Sequence, residues 1–137
     1  MHVQQLCDKY YVCAQIAVGD IKPLQEAGFH KIICNRPNEE VSNELHSSVM
    51  AIAAQEAGIQ FNFLPLTMQT INSENISKQA SFVEEANGPV LAYCASGTRC
   101  TIVWALIKAG KLPTADILTA TANAGFNLEG IRNLLNK

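Results

Sequence analysis

The strongest constraint in this sequence is its rhythm. Short apolar runs at residues 10–14, 31–35, 60–64 and 90–94 alternate with longer amphipathic stretches, and glycine or proline stands at most of the junctions. Such alternation predicts an α/β layer structure, because runs this apolar must be covered by the stretches between them. The run at 31–35 has the continuous apolar character of a buried parallel strand, whereas 60–64 alternates and reads as a strand nearer the sheet edge. The expected architecture is a single domain over residues 1–137, with a mainly parallel central sheet flanked by helices.

Helix signals fill the gaps. Asp20 offers an N-cap for a short helix over residues 21–27, with Pro23 in its first turn and Gly28 as its stop. Leu45, Val49, Ile52, Ala53 and Glu56 keep helical spacing from about residue 42 to 57 and predict an apolar face ending at Gly58. Ser77 is the expected cap of a helix reaching Ala86, and an apolar helix around Trp104 is expected over residues 100–109. Two further helices, 114–123 and 128–135, are expected to cover one sheet edge.

Charge and cysteine usage narrow the function classes. Ten basic and 12 acidic residues give a net charge of −2, without the basic stripe that nucleic acid or an acidic membrane surface requires. No apolar stretch approaches the roughly 18 residues of a membrane span, and the N-terminus lacks the pattern of a secretory leader, so a cytoplasmic location is expected. Five cysteines, an odd number without a C-x-x-C pair, predict free thiols. His2, His30 and His46 lie too far apart for a shared ligand set, so neither a metal nor an organic cofactor is expected. Oligomeric state is not encoded in any of these features.

In an open α/β sheet the ligand site lies beyond the carboxyl ends of the strands. Three segments fall there: Arg36 to Glu40, Thr67 to Thr70, and Cys94-Ala95-Ser96-Gly97-Thr98-Arg99. Only the third joins a nucleophile, small residues and a fixed cation. Amide N–H groups and a helix N-terminus would draw the Cys94 thiol toward ionisation. Gly97 allows a left-handed turn that aims successive amides inward, and Arg99 supplies a planar fork for an oxyanion. The site residues expected from this reading are Cys94 and Arg99, with anion contacts from Ala95, Ser96, Gly97 and Thr98, and with Arg36 lending charge from the end of the strand at 31–35. The loop lacks the Lys-Ser or Lys-Thr of a phosphate-binding Walker loop, and Ser96 lacks a nucleophile-elbow frame. Cys100 could serve as a resolving thiol for Cys94.

Taken with Ala14-Gln15, Ala27-Gly28-Phe29, Asn35 to Glu40 and Ala57-Gly58-Ile59, the run from Val90 to Arg99 resembles the phosphatase-like domain of bacterial beta-lactamase-hydrolase-like proteins. The likeness spans nearly the whole chain, and that family resembles dual-specificity protein tyrosine phosphatases in fold. It implies that Cys94 attacks a phosphate monoester and carries a phospho-intermediate, with Arg99 on the oxyanion and residues 95–98 as backbone donors. In some bacteria a domain of this type is joined to a sulfur-oxidising metallo-hydrolase. That arrangement implies rhodanese-like sulfur transfer through a Cys94 persulfide, and an anion-binding or partner-binding module is the third alternative. The implied partner is a small anion, either a phosphate ester or a sulfane sulfur donor.

The chain departs from the family loop at Tyr93 and Ala95, where His and Arg are common. Four residues rather than the five of tyrosine phosphatases separate Cys94 from Arg99, which resembles the six-residue loops of rhodaneses. None of Asp8, Asp20 and Asp116 is expected in a loop after a strand's carboxyl end, leaving Glu39 or Glu40 as the nearest substitute for a general acid.

Overall fold

The computed structural model describes residues 1–136. Its sheet has five strands: β1 (Gln4–Gln5), β2 (Tyr10–Cys13), β3 (Lys31–Cys34), β4 (Gln60–Phe63) and β5 (Val90–Tyr93), in the order β1-β2-β5-β3-β4. All neighbours are parallel except β1, which pairs antiparallel with β2. β1 escaped the sequence reading because a two-residue polar edge strand carries no periodicity. The central position of β5 accounts for its unbroken apolar composition, since all four of its residues are buried.

Residues along β5 divide between two cores. Val90 and Ala92 pack into the same cluster as Tyr10, Val12, Trp104 and Ala105, while Leu91 and Tyr93 pack with Cys13, Ile32, Cys34 and Met50. The second cluster is covered by α1 (Ile21–Glu26) and α2 (Ser47–Glu56), and the first by α4 (Thr98–Lys108), α5 (Thr114–Asn123) and α6 (Arg132–Leu135). α5 and α6 pack against α4, with Ile117, Leu118 and Leu135 buried in the same cluster as Trp104. α3 (Ser73–Glu85) packs beside α4.

Several boundaries differ from the sequence reading for identifiable reasons. α2 begins at Ser47, because Asn38 reaches across nine residues to accept the Ser47 amide at 2.8 Å and to donate to its hydroxyl at 3.1 Å. It also presents a different face from the one expected: Met50 and Ala54 are buried, whereas Val49 and Ile52 are 37% and 59% exposed. α3 starts four residues before Ser77, capped by the Asn72 side chain, which accepts the Asn75 amide at 3.0 Å. Asp20 stands at the N-cap position of α1 as expected, but its side chain accepts the Ala17 amide at 2.8 Å in the 3-10 turn just ahead of the helix.

A buried polar chain ties α3 to the sheet. The Gln79 amide donates to Asn35 Oδ1 at 2.9 Å and to the Tyr10 hydroxyl at 3.2 Å, and Asn35 donates back to Gln79 at 3.0 Å and to the Leu64 carbonyl at 2.9 Å. Tyr10 in turn donates to the Cys100 carbonyl at 2.8 Å. Gln79→Leu leaves the buried Asn35 amide short of partners, and is expected to lower unfolding free energy by about 2 kcal/mol in urea denaturation.

Candidate active site at the Cys94 loop

The parallel register sets Tyr93 level with Cys13 on one side and Cys34 on the other, so β2, β5 and β3 deliver their next residues to one end of the sheet. Cys94 follows β5 directly and is 1% exposed. The chain then turns through Gly97, whose φ of 93° lies in the left-handed region, and α4 begins at Thr98. A side chain there would also be crowded, because a Cβ on Gly97 would lie 3.1 Å from the Phe126 ring and 3.4 Å from the Cys13 carbonyl oxygen. Thr101 ties down the turn by donating its hydroxyl to the Gly97 carbonyl at 2.8 Å.

That turn aims donors at sulfur. The Gly97 amide donates to Cys94 Sγ at 3.2 Å. The Cys100 thiol gives the largest lowering contribution to the Cys94 pKa; burial opposes it, and the amides of Cys100, Gly97 and Ser96 add to it, leaving the thiol at about 5 against its ordinary 9.0. A cysteine at the N-terminus of α4 thus ionises without the His and Arg absent at Tyr93 and Ala95. The buried neighbours behave oppositely: desolvation pushes Cys13 up to about 12 and raises Cys34 and Cys100.

The sign of the linked stability follows from the lowered value. Between pH 5 and 9 the folded state binds fewer protons at Cys94 than the unfolded chain, so its contribution is complete above about 9 and lost as pH falls through about 5. Alkylation of Cys94 by iodoacetamide is expected to rise with pH through about 5 and to level off by neutrality, while Cys13, Cys34 and Cys100 remain slow. Peptide mapping after timed quenching across pH 4 to 9 checks this; a midpoint near 8.5 at Cys94 would contradict it.

Arg99 lies in the first turn of α4 and is gripped rather than free. Its two terminal nitrogens donate to the two carboxylate oxygens of Glu40 at 2.8 Å each, and one of them also donates to the Leu66 carbonyl at 2.8 Å. Arg36 reaches the same carboxylate from the end of β3, with Nε 3.3 Å from Glu40 Oε1, and donates to Gln15 at 3.4 Å. Arg36 therefore stands at the Cys94 end of the sheet, sharing Glu40 with Arg99.

Glu40 has a different part from the general acid suggested by sequence. Hydrogen bonding from Arg99, helped by Arg36, holds its carboxyl below the ordinary range, so it carries no proton to give near neutrality. What signalled this was the four-residue spacing of Arg36 and Glu40 across Pro37; their partnership with Arg99, 59 residues beyond Glu40, had no local signature. Asp20 also departs from expectation. It ends the 3-10 turn that follows the carboxyl end of β2, and its charge helps raise the Cys13 thiol.

Of the remaining loop residues, the Ala95 carbonyl accepts the Gln15 amide at 3.5 Å, and the hydroxyls of Ser96 and Thr98 are 2.9 Å apart. The loop from Thr67 to Thr70 closes on itself, the Thr67 amide donating to the Thr70 hydroxyl at 2.8 Å. Among the described residues no group of three or more His, Cys, Asp or Glu is placed to hold a metal ion, and no helix is long and apolar enough to cross a membrane.

Comparison with known proteins places this fold. A structure of a candidate phosphatase from Neisseria meningitidis superposes with a TM-score of 0.87 at 30% identity, covering 98% of this chain and 96% of that one. The P. aeruginosa protein TpbA in complex with pTyr shares the fold at a TM-score of 0.66 and 12% identity, over 97% of this chain and 87% of that one. The fold is that of the cysteine-type, protein-tyrosine-phosphatase-like enzymes. More narrowly, residues 2–111 match the phosphatase-like domain of beta-lactamase hydrolase-like proteins, and the chain belongs to that family. A beta-lactamase hydrolase-like protein of Agrobacterium fabrum is 29% identical over 130 residues, covering 93% of this chain; the chain spans about 30% of that relative's length.

Proposed function

We propose that the protein hydrolyses phosphate monoesters through a covalent intermediate on Cys94. The observation that carries this reading is the Cys94 sulfur accepting the Gly97 amide at 3.2 Å in the turn that leads into a helix beginning at Thr98 with Arg99 in its first turn, an arrangement that draws the thiol down to about 5. In the first step the Cys94 thiolate attacks phosphorus; an S–P bond forms as the P–O bond to the leaving group breaks, and that oxygen departs with the electron pair. Amides of the loop meet the equatorial oxygens, which gather charge in the transition state, and the Arg99 fork, engaged by Glu40 in this structure, shares its donors with them. Water then attacks the phosphocysteine, releasing phosphate and restoring the thiolate. Arg36 and Glu40 act as positioning residues that hold the guanidinium of Arg99 over the loop's mouth.

Because Glu40 is held ionised, the leaving group gets little help from it. The expected substrate is therefore an aryl phosphate, whose phenoxide leaves without a proton, a class that includes the pTyr bound by TpbA. Proton donation is worth typically 10² to 10⁴ in rate. Hydrolysis of p-nitrophenyl phosphate is thus expected to exceed that of a simple alkyl phosphate by about that factor, and equal rates would contradict this reading. Five unpaired cysteines suit a reducing compartment such as the cytoplasm.

The four-residue separation of Cys94 and Arg99 favours a second reading, sulfur transfer through a Cys94 persulfide. Thiosulfate and cyanide supplied together decide between them. Thiocyanate formation without ester hydrolysis supports sulfur transfer, and neither reaction leaves an anion-binding module.

A further inference from the structure

We propose that Phe126 is a positioning residue for the Cys94 loop, its ring holding Gly97 in the turn that aims the Gly97 amide at the Cys94 sulfur. The turn depends on a residue with no side chain to anchor it. Gly97 sits at φ 93°, and glycine loses more freedom than any other residue when it is ordered. Its amide donates to Cys94 Sγ at 3.2 Å, while its carbonyl accepts the Thr101 amide at 3.0 Å and the Thr101 hydroxyl at 2.8 Å. The direction left over is the one in which a side chain would project. A Cβ there would lie 3.1 Å from Cζ, the tip of the Phe126 ring, and 3.4 Å from the Cys13 carbonyl oxygen, so the ring takes up the space that a side chain would fill.

Phe126 arrives there because of the way α5 stops. Gly125, at φ 95°, donates its amide to the Ala122 carbonyl at 3.0 Å, and Phe126 donates its amide to the Thr121 carbonyl at 2.9 Å, the paired bonds of a glycine-terminated helix. The residue after such a glycine commonly makes an apolar contact, and here the half-buried Phe126 packs against the cluster that contains Cys94, Cys100 and Trp104. An aromatic ring buries a large area with only two side-chain torsions to fix, so it braces the turn at low entropic cost. α5 lies beyond residues 2–111, which carry the family match, so the brace comes from a segment outside the one that holds the Cys94-to-Arg99 loop. The Gly97 amide is among the donors that draw the Cys94 thiol down, so loosening Gly97 weakens the hold on the thiolate.

The proposal rests on Cys94 as the reactive thiol and not on ester chemistry, so it is tested on the full chain by iodoacetamide alkylation from about pH 4 to 9 with peptide mapping. Phe126→Ala is expected to raise the Cys94 midpoint by about one pH unit, the scale of weakening one hydrogen bond to a charged group. Phe126→Met keeps an apolar chain long enough to reach Gly97 and is expected to recover most of that shift. Leu135→Ala lies in the same cluster but at the other end of α5, where the Leu135 carbonyl accepts the Thr114 hydroxyl at 3.2 Å; it is expected to lower stability and leave the midpoint unchanged. Phe126→Tyr retains the ring but carries a hydroxyl on Cζ, against Gly97, and is expected to raise the midpoint, a test that holds even where the alanine variant does not fold. An unchanged midpoint in Phe126→Ala or Phe126→Tyr, no recovery in Phe126→Met, or an equal rise in Leu135→Ala would each overturn the proposal. Alkylation needs no turnover, so these midpoints in a protein that hydrolyses no aryl phosphate would count against the phosphatase reading and leave the role of Phe126 standing.

Discussion

Cys94→Ser is expected to lower turnover of an aryl phosphate by at least about ten-thousandfold, the scale seen when a covalent nucleophile is removed from an enzyme. The reasoning rests on ionisation. The thiol reaches about 5 because the Cys100 thiol and the amides of Cys100, Gly97 and Ser96 converge on sulfur, and a serine hydroxyl starts so much higher that the same donors leave it protonated. Those donors belong to the turn through Gly97 and to the first turn of α4, so the replacement leaves them in place. Phosphate affinity is therefore expected to stay within about twofold of wild type by calorimetry. Loss of binding together with turnover would mean that sulfur, rather than the backbone cradle, organises the site.

Arg99→Lys carries the second largest effect. The Glu40 carboxylate and the Leu66 carbonyl hold the guanidinium at three points, each 2.8 Å long, in an orientation set by its planar geometry. An ammonium keeps the charge but cannot make the paired contacts or present two parallel donors to an oxyanion. Loss of one such donor set typically costs about 10² to 10³ in rate, so kcat of the variant is expected to fall by that factor, with weaker phosphate binding in the same titration. Unchanged affinity and rate would remove Arg99 from the site. Because Glu40 occupies the fork in this structure, an oxyanion must share or displace that carboxylate, which sets an electrostatic cost on every substrate that enters.

How far the residues alone carried this picture depends on whether a feature is local. β5 was legible because five apolar residues in succession admit little besides a buried strand, and the break into Ala95-Ser96-Gly97-Thr98 marked the loop. Gly97 could be assigned a left-handed turn for the same reason. The buried face of α2 is not legible locally because Ala53 and Ala54 are identical in hydrophobicity, while Val49 and Ile52 draw the pattern toward solvent. Its start was hidden, since the cap is the side chain of Asn38 and not a residue at the helix end. The same limit applied to the site. Cys94, Arg99 and the loop between them are contiguous, but the Arg99–Glu40 pair and the Asn35–Gln79–Tyr10 chain join segments that only the fold brings together.

The central claim is that Cys94 becomes covalently phosphorylated. Mixing the protein with p-nitrophenyl phosphate, quenching in acid on the millisecond scale and mapping peptides by mass spectrometry tests it directly. The account predicts a phosphoryl group on the peptide carrying Cys94, in amounts that rise before steady state, and none in Cys94→Ser. A phosphoryl group on another residue, or product released with no adduct at any time point, would contradict it.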